Sequence, residues 1–204
     1  MRVVVATGNP AKARELEALL DGLGLELVPQ SALGVPGAAE TGASFVENAL
    51  IKARHAARHT GLPALADDSG LAVDALGGAP GVRSARYAGP GADDAANNRK
   101  LLEALAGVPP ERRTARFHCV IAFVRGAEDP VPVLCQGVWE GRILEAPRGR
   151  GGFGYDPLFE VPGRGLSAAE LDPAEKNRIS HRGQALAAFA VRLRAGLAPA
   201  TGCL

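Results

Sequence analysis

Four lysines, Lys12, Lys52, Lys100 and Lys176, stand against nineteen arginines in this chain. Where arginine serves as the usual cation, a lysine that remains points to a place needing a compact point charge, as at a phosphate. Lys100, inside an ordinary amphipathic helix pattern, fits that argument least. Lys12 closes the run Thr7-Gly8-Asn9-Pro10-Ala11-Lys12. Asn is a favoured N-cap and Pro a favoured first helical residue, so the run reads as a helix start whose outward N–H groups form an anion site. A cation in that first turn opposes the helix dipole by about 0.3–1 kcal/mol, which points to an anionic partner for Lys12. A capped helix with a surface lysine is the plainer alternative.

Carboxylates supply the second group. Asp67-Asp68 follows a short apolar run at residues 64–66 and precedes Ser69-Gly70. Carboxylates at a strand end can hold Mg²⁺ or take a proton from water. Successive strand residues face opposite ways, so at most one of the two faces a given site while the other ties down a loop or helix. Glu40, in the loop before the second predicted helix, is a second potential metal ligand, or simply an exposed loop glutamate.

Two further runs carry aromatic and basic groups. Residues 149–157 read Gly-Arg-Gly-Gly-Phe-Gly-Tyr-Asp-Pro and contain a literal G-x-G-x-x-G. No clean strand precedes it and Pro157 follows in place of a helix, so a dinucleotide site has no support. Its flexible backbone instead carries Phe153 and Tyr155, whose rings could stack on a base or sugar. Residues 175–183 bring Lys176, His181 and Arg182 to a helix start or loop, where they can meet phosphate and direct hydrogen bonds at a base.

Patterning predicts the elements that must hold these groups. A β-branched strand at residues 2–6 leads into a helix from Pro10 with Leu16, Leu19, Leu20 and Leu23 at helical spacing. A second strand is expected at 25–28, and a helix from Ser44, where Ser44-x-x-Glu47 is a capping-box pattern, to about His59. On that helix Val46, Leu50, Ala53 and Ala57 make an apolar stripe, while Asn48 and Lys52 lie side by side on another face. Further on, a helix capped by Asp93 or Asp94, strand runs at 115–124 and 131–139 able to pair as a hairpin, and one last helix from about Pro173 to Ala195, its core stripe Leu186, Phe189, Leu193 and Leu197, complete a mixed α/β order.

Composition bounds the classes. With 204 residues, 47% hydrophobic and 22% charged, and a formal charge of +1, the chain can bury a core but offers no general field for nucleic acid or an anionic membrane. No apolar stretch approaches the roughly 20 residues of a membrane span, and the N-terminal apolar run is too short for a signal peptide. A cytoplasmic protein with no membrane or nucleic-acid partner is expected. Cys119, Cys135 and Cys203 are widely spaced and are read as reduced thiols.

Together these runs resemble the inosine/xanthosine triphosphate pyrophosphatase family, enzymes that remove non-standard purine nucleotides. The likeness runs through ATGNPAKAREL (6–16), ETGASFVENALIKARHAA (40–57), ALADDSGLAVDALGGAPGVRSARYAG (64–89), GGFGYDPLF (151–159) and EKNRISHRGQAL (175–186), in the family's order and over nearly the whole chain. The resemblance implies one domain over residues 1–204, an elongated two-lobed α/β fold with a long mixed central β-sheet flanked by helices, a deep substrate cleft and a homodimer. It implies Mg²⁺-dependent hydrolysis of ITP, dITP or XTP between the α and β phosphates, yielding monophosphate and pyrophosphate. Thr7, Gly8, Asn9, Lys12, Lys52 and Lys176 would then hold phosphate. Asp68 would be proton acceptor and metal ligand, with Ser69 touching substrate and Glu40, or alternatively Glu47, as the second metal ligand. Phe153, Gly154, Tyr155 and Asp156 match the base-and-sugar block, and His181 and Arg182 the pair near the purine 6-position. A pyrophosphatase for pyrimidine or other modified nucleotides on a related fold is the neighbouring reading. A non-catalytic nucleotide sensor is a third, against which the Asp68 carboxylate argues.

Overall fold

The structure is a computed structural model, and residues 1–196 are described. Its strands are β1 (Arg2–Val5), β2 (Glu26–Pro29), β3 (Ala64–Val73), β4 (Thr114–Val124), β5 (Val133–Ile143), β6 (Phe159–Val161) and β7 (Leu166–Ser167). The helices are α1 (Pro10–Leu20), α2 (Phe45–Thr60), α3 (Asp94–Ala104), α4 (Pro173–Ile179) and α5 (His181–Arg194). The strands form one mixed seven-stranded sheet in the order β2-β1-β3-β4-β5-β6-β7. In it β1 runs parallel to β2 and β3, and β6 antiparallel to β5 and β7. Among the described residues no helix is long and apolar enough to cross a membrane.

By packing, the chain divides into two compact units. Among the described residues, the first comprises Met1–Asp68, Cys119–Gly137 and residues 182–196; the second comprises Ser69–His118 and Val138–His181. In the first unit β1 is apolar at every inner position because both its faces are covered, as befits a parallel strand. Val3 and Val5, with Leu65 of β3, pack on Leu16, Leu20, Leu186 and Phe189 of α1 and α5. Val4, with Ala64 and Ala66, packs on Ala49, Ala53, Ala56 and Ala57 of α2. The two-residue period of a strand therefore sorts β3 between a helix pair on one face and α2 on the other. The second unit has its own core, in which Phe117 lies 4.6 Å and Trp139 5.1 Å from the Phe159 ring, beside Leu71, Leu101 and Leu158.

Local signals set the helix starts. Asn9 caps α1, and Ser44 with Glu47 closes the expected capping box on α2. Asp93, of the two candidates, caps α3 through Ala96 N–H. Other expectations need correction. The apolar run at 64–66 is only the beginning of β3, which is ten residues long in all, so Asp67 and Asp68 stand within the strand and not at its end. Their low strand propensity is overridden because each finds a cationic partner there. The single last helix is two: Ser180 takes an extended conformation (ψ 161°) and separates α4 from α5. Leu186 and Phe189 are buried as expected, while Leu197 and Cys203 lie outside the described residues. Residues 131 and 132 fall before β5, which adjoins β4 in the sheet.

Cys119 and Cys135 are free thiols in the core of the first unit. Burial pushes the Cys119 thiol up to about 12, and Cys135 shifts in the same direction. A Cys203→Ser protein is therefore expected to react with Ellman's reagent at pH 8 only after denaturation. Prompt labelling of the folded Cys203→Ser protein would contradict this burial.

Candidate functional site

In the first unit, Asp67 and Asp68 face opposite sides of β3 and so meet different helices. Asp67, fully buried, receives Lys12 Nζ of α1 at 3.0 Å and Arg182 Nη2 of α5 at 3.1 Å. Arg182 also donates to Glu15, one turn beyond Lys12 on α1. Burial alone would raise the Asp67 carboxyl, but Lys12, Arg182 and Lys52 outweigh it and hold it well below the usual carboxylate range. Arg182 is shifted upward, its burial offset by Asp67 and Glu15.

Lys12 thus has an anionic partner within the chain, Asp67. The first-turn N–H groups are likewise taken: Asn9 Oδ1 accepts from Ala11 N–H at 2.9 Å and Lys12 N–H at 3.3 Å, and Asn9 C=O accepts from Ala13 N–H. The expected ring of free helix-start donors is closed by its own cap, a correction to the reading of that turn. Thr7 and Gly8 remain just before it, Thr7 Oγ1 accepting from Asn9 N–H at 3.2 Å.

Asp68 faces α2. Lys52 Nζ donates to Asp68 Oδ1 at 2.7 Å and to Glu40 Oε1 at 2.9 Å, so two carboxylates converge on one ammonium. Burial raises the Asp68 carboxyl against the opposing pull of Lys52 and Lys12, and Glu40 raises it further. Lys52 is lowered by burial but raised on balance by Asp67, Asp68 and Glu40. Glu40 is brought here by the loop before α2, which Asn48 fastens: its Oδ1 accepts Gly42 N–H at 2.8 Å. Glu47 is engaged elsewhere, accepting from Ala43 and Ser44 N–H at the helix start. Asn48 and Lys52, expected as neighbours on a polar face, are neighbours on a largely covered one.

In the second unit a separate group forms around Asp156. Its Oδ2 accepts Lys176 Nζ at 2.7 Å and Phe153 N–H at 2.9 Å, and Lys176 Nζ lies 4.9 Å above the Phe153 ring. Gly152 takes a left-handed φ of 71° and a Cβ there would collide with Asp156, so only glycine permits this closure. Tyr155 is buried and donates to Ser84 C=O at 2.8 Å, making it an anchor of the loop. His181 stacks on Phe117 at 4.8 Å with the rings 11° apart, which fixes the imidazole plane. Ser69, the next residue of β3 after Asp68, is half-buried. Sequence reasoning missed Glu15, although its three-residue spacing from Lys12 places both on one face of α1.

The sequence profile of the Ham1 family matches residues 3–192. A dITP/XTP pyrophosphatase from Methylococcus capsulatus is 66% identical over 194 residues, covering 95% of this chain and 96% of that protein. The protein of the same name from Escherichia coli strain K12 is 58% identical over 195 residues, covering 96% and 99%. Among solved structures, a HAM1 protein from Coxiella burnetii superposes with a TM-score of 0.90 at 54% identity, over 96% of this chain and 99% of that one. A nucleoside-triphosphatase / dITP/XTP pyrophosphatase from Mycobacterium abscessus gives 0.75 at 50% identity, over 93% and 98%. With the mixed sheet, the motif order and these likenesses in agreement, the chain belongs to the Ham1 family.

Proposed function

We propose that this chain is a nucleoside triphosphate pyrophosphatase that hydrolyses ITP, dITP and XTP to the monophosphate and pyrophosphate, with Mg²⁺. The observation that carries the reading is the convergence of Asp68 and Glu40 on Lys52, in a chain whose relatives bear the name dITP/XTP pyrophosphatase. Two hard carboxylate oxygens directed at one centre of positive charge suit Mg²⁺, which takes one or two carboxylates and completes its shell with phosphate oxygens and water. Asp68 and Glu40 would hold the ion, which when bound draws charge from the phosphates.

The remaining chemistry rests on side chains of this protein. Lys12, Lys52 and Lys176 supply point charges for the phosphates, with Thr7, Gly8 and Asn9 beside them. Asp68, its carboxyl raised by burial, takes the proton of a water that attacks the α-phosphorus in line, and pyrophosphate departs. Ser69 contacts substrate next to it. The loop Phe153, Gly154, Tyr155 and Asp156 receives the base and sugar, with the buried Tyr155 and Asp156 side chains holding its shape. Inosine and xanthosine present an acceptor at the 6-position where adenine presents a donor, so donors from the His181–Arg182 segment, the Arg182 guanidinium itself being held by Asp67 and Glu15, leave ATP with an unpaired clash. A site of that kind discriminates by ~10⁴ or more. The reading further takes the protein as a cytoplasmic homodimer.

The test is pyrophosphate release from ITP, dITP, XTP, GTP, ATP and dUTP, each with Mg²⁺ and with EDTA. Mg²⁺-dependent release confined to ITP, dITP and XTP is expected. Orthophosphate as product, equal use of ATP, or preference for the pyrimidine would overturn the reading.

A further inference from the structure

Helix α3 carries two residues, four apart, that grip one residue of the Phe153–Asp156 loop from both sides. Asp94 Oδ2 accepts Gly154 N–H at 2.6 Å, and Asn98 Nδ2 donates to Gly154 C=O at 2.8 Å. The opposite polarity of the two bonds fixes the peptide planes before and after Gly154, which are the planes joining it to Phe153 and Tyr155. Gly154 sits at a left-handed φ of 61° with no heavy atom within 4 Å of an added Cβ, so packing alone does not confine it. Neither gripping residue is needed to start α3, because Asp93 provides that cap. On its other side Phe153 is held by Asp156 and Lys176, and Tyr155 is held by Ser84.

We propose that Asp94 and Asn98 are positioning residues for base recognition: by clamping the Gly154 peptide groups they set the Phe153 ring at the angle that stacks on a purine. This rests on the reading that residues 153–156 receive the base. The clamp bonds involve neither the phosphate-facing lysines nor Asp68, so the cost of loosening them falls on binding of the base and not on the chemical step.

Asn98→Asp is the sharpest variant, since it keeps the side-chain shape and sets a carboxylate against the Gly154 carbonyl. Its KM for ITP is expected to rise about tenfold, the size of one lost hydrogen bond with repulsion added. kcat should stay within about twofold and the inhibition constant of inorganic tripolyphosphate should not move. Asp94→Ala should raise KM similarly, and Asp94→Asn, which keeps an acceptor oxygen, should recover most of that loss. A lowered melting temperature with unchanged KM would reduce the clamp to a structural role and overturn the proposal, as would a tripolyphosphate constant that rises with KM. If the wild-type chain releases no pyrophosphate from ITP, the functional reading fails by itself. Equilibrium binding of ITP in EDTA then decides the clamp: weaker binding in Asn98→Asp supports it, and equal binding overturns it.

Discussion

Replacing Asp68 by Asn is expected to lower kcat by about 10³ while KM for ITP stays within about threefold, because a positioned general base contributes on the order of 10²–10⁴. The amide oxygen of Asn still accepts from Lys52, which in the native chain donates to Asp68 at 2.7 Å. The β3–α2 contact and the placement of Glu40 therefore survive, and circular dichroism should be that of the parent. What Asn cannot do is accept the proton of the attacking water. Saturating Mg²⁺ should not restore the rate, which separates loss of the base from weaker metal binding. Steady-state kinetics at several Mg²⁺ concentrations make the check. Near-normal kcat in Asp68→Asn, with the loss found in Asp67→Asn, would assign the base to the other aspartate.

Asp67→Asn should fail in a different way, through stability. Asp67 is fully buried between Lys12 and Arg182, and removing one member of a buried ion pair costs about 3–5 kcal/mol because the remaining charges lose their compensation. For a chain of this size that corresponds to a fall of roughly 6–20 °C in melting temperature. The pH dependence has a definite sign. A carboxyl held below its ordinary value in the folded state contributes stability that is fully present above the unfolded pKa of about 3.9, and is lost as pH falls from there through the folded value. The parent should lose stability on acidification through that window, and Asp67→Asn should lose less of it. Melting curves from pH 7 down to 3 test both points. An unchanged melting temperature would mean that Asp67 is not the counter-ion of Lys12 and Arg182.

The parts legible in the sequence are those that neighbouring residues decide. Asn9-Pro10 and Ser44-x-x-Glu47 specify helix starts within four residues, and α1 and α2 begin where those signals stand. The apolar runs of β1 and β4 announce strands covered on both faces. Harder to see was the extension of β3 through two adjacent aspartates, since their partners lie on α1, α2 and α5: Lys12 and Lys52 upstream and Arg182 some 115 residues downstream. The same distance in sequence hid the anion that answers Lys12. Ser180 breaks the last helix with no Gly or Pro at the break to signal it, because the break is only one residue long, between Ile179 and His181. Of the candidate residues, Asp67 and Asp68 were separable by the strand period alone, and the structure gives one to an ion-pair network and the other to Lys52 and Glu40. Asp94 and Asn98 left no local trace, as the Gly154 they hold lies 60 and 56 residues away.

The most direct test of the proposed chemistry is where water oxygen enters. Hydrolysis of ITP by the wild-type chain in H₂¹⁸O with Mg²⁺, followed by mass spectrometry of both products, should place one ¹⁸O in the inosine monophosphate and none in the pyrophosphate, because water activated at Asp68 attacks the α-phosphorus. Label in the pyrophosphate, or release of labelled orthophosphate, would place the attack at a different phosphorus and contradict the role given to Asp68.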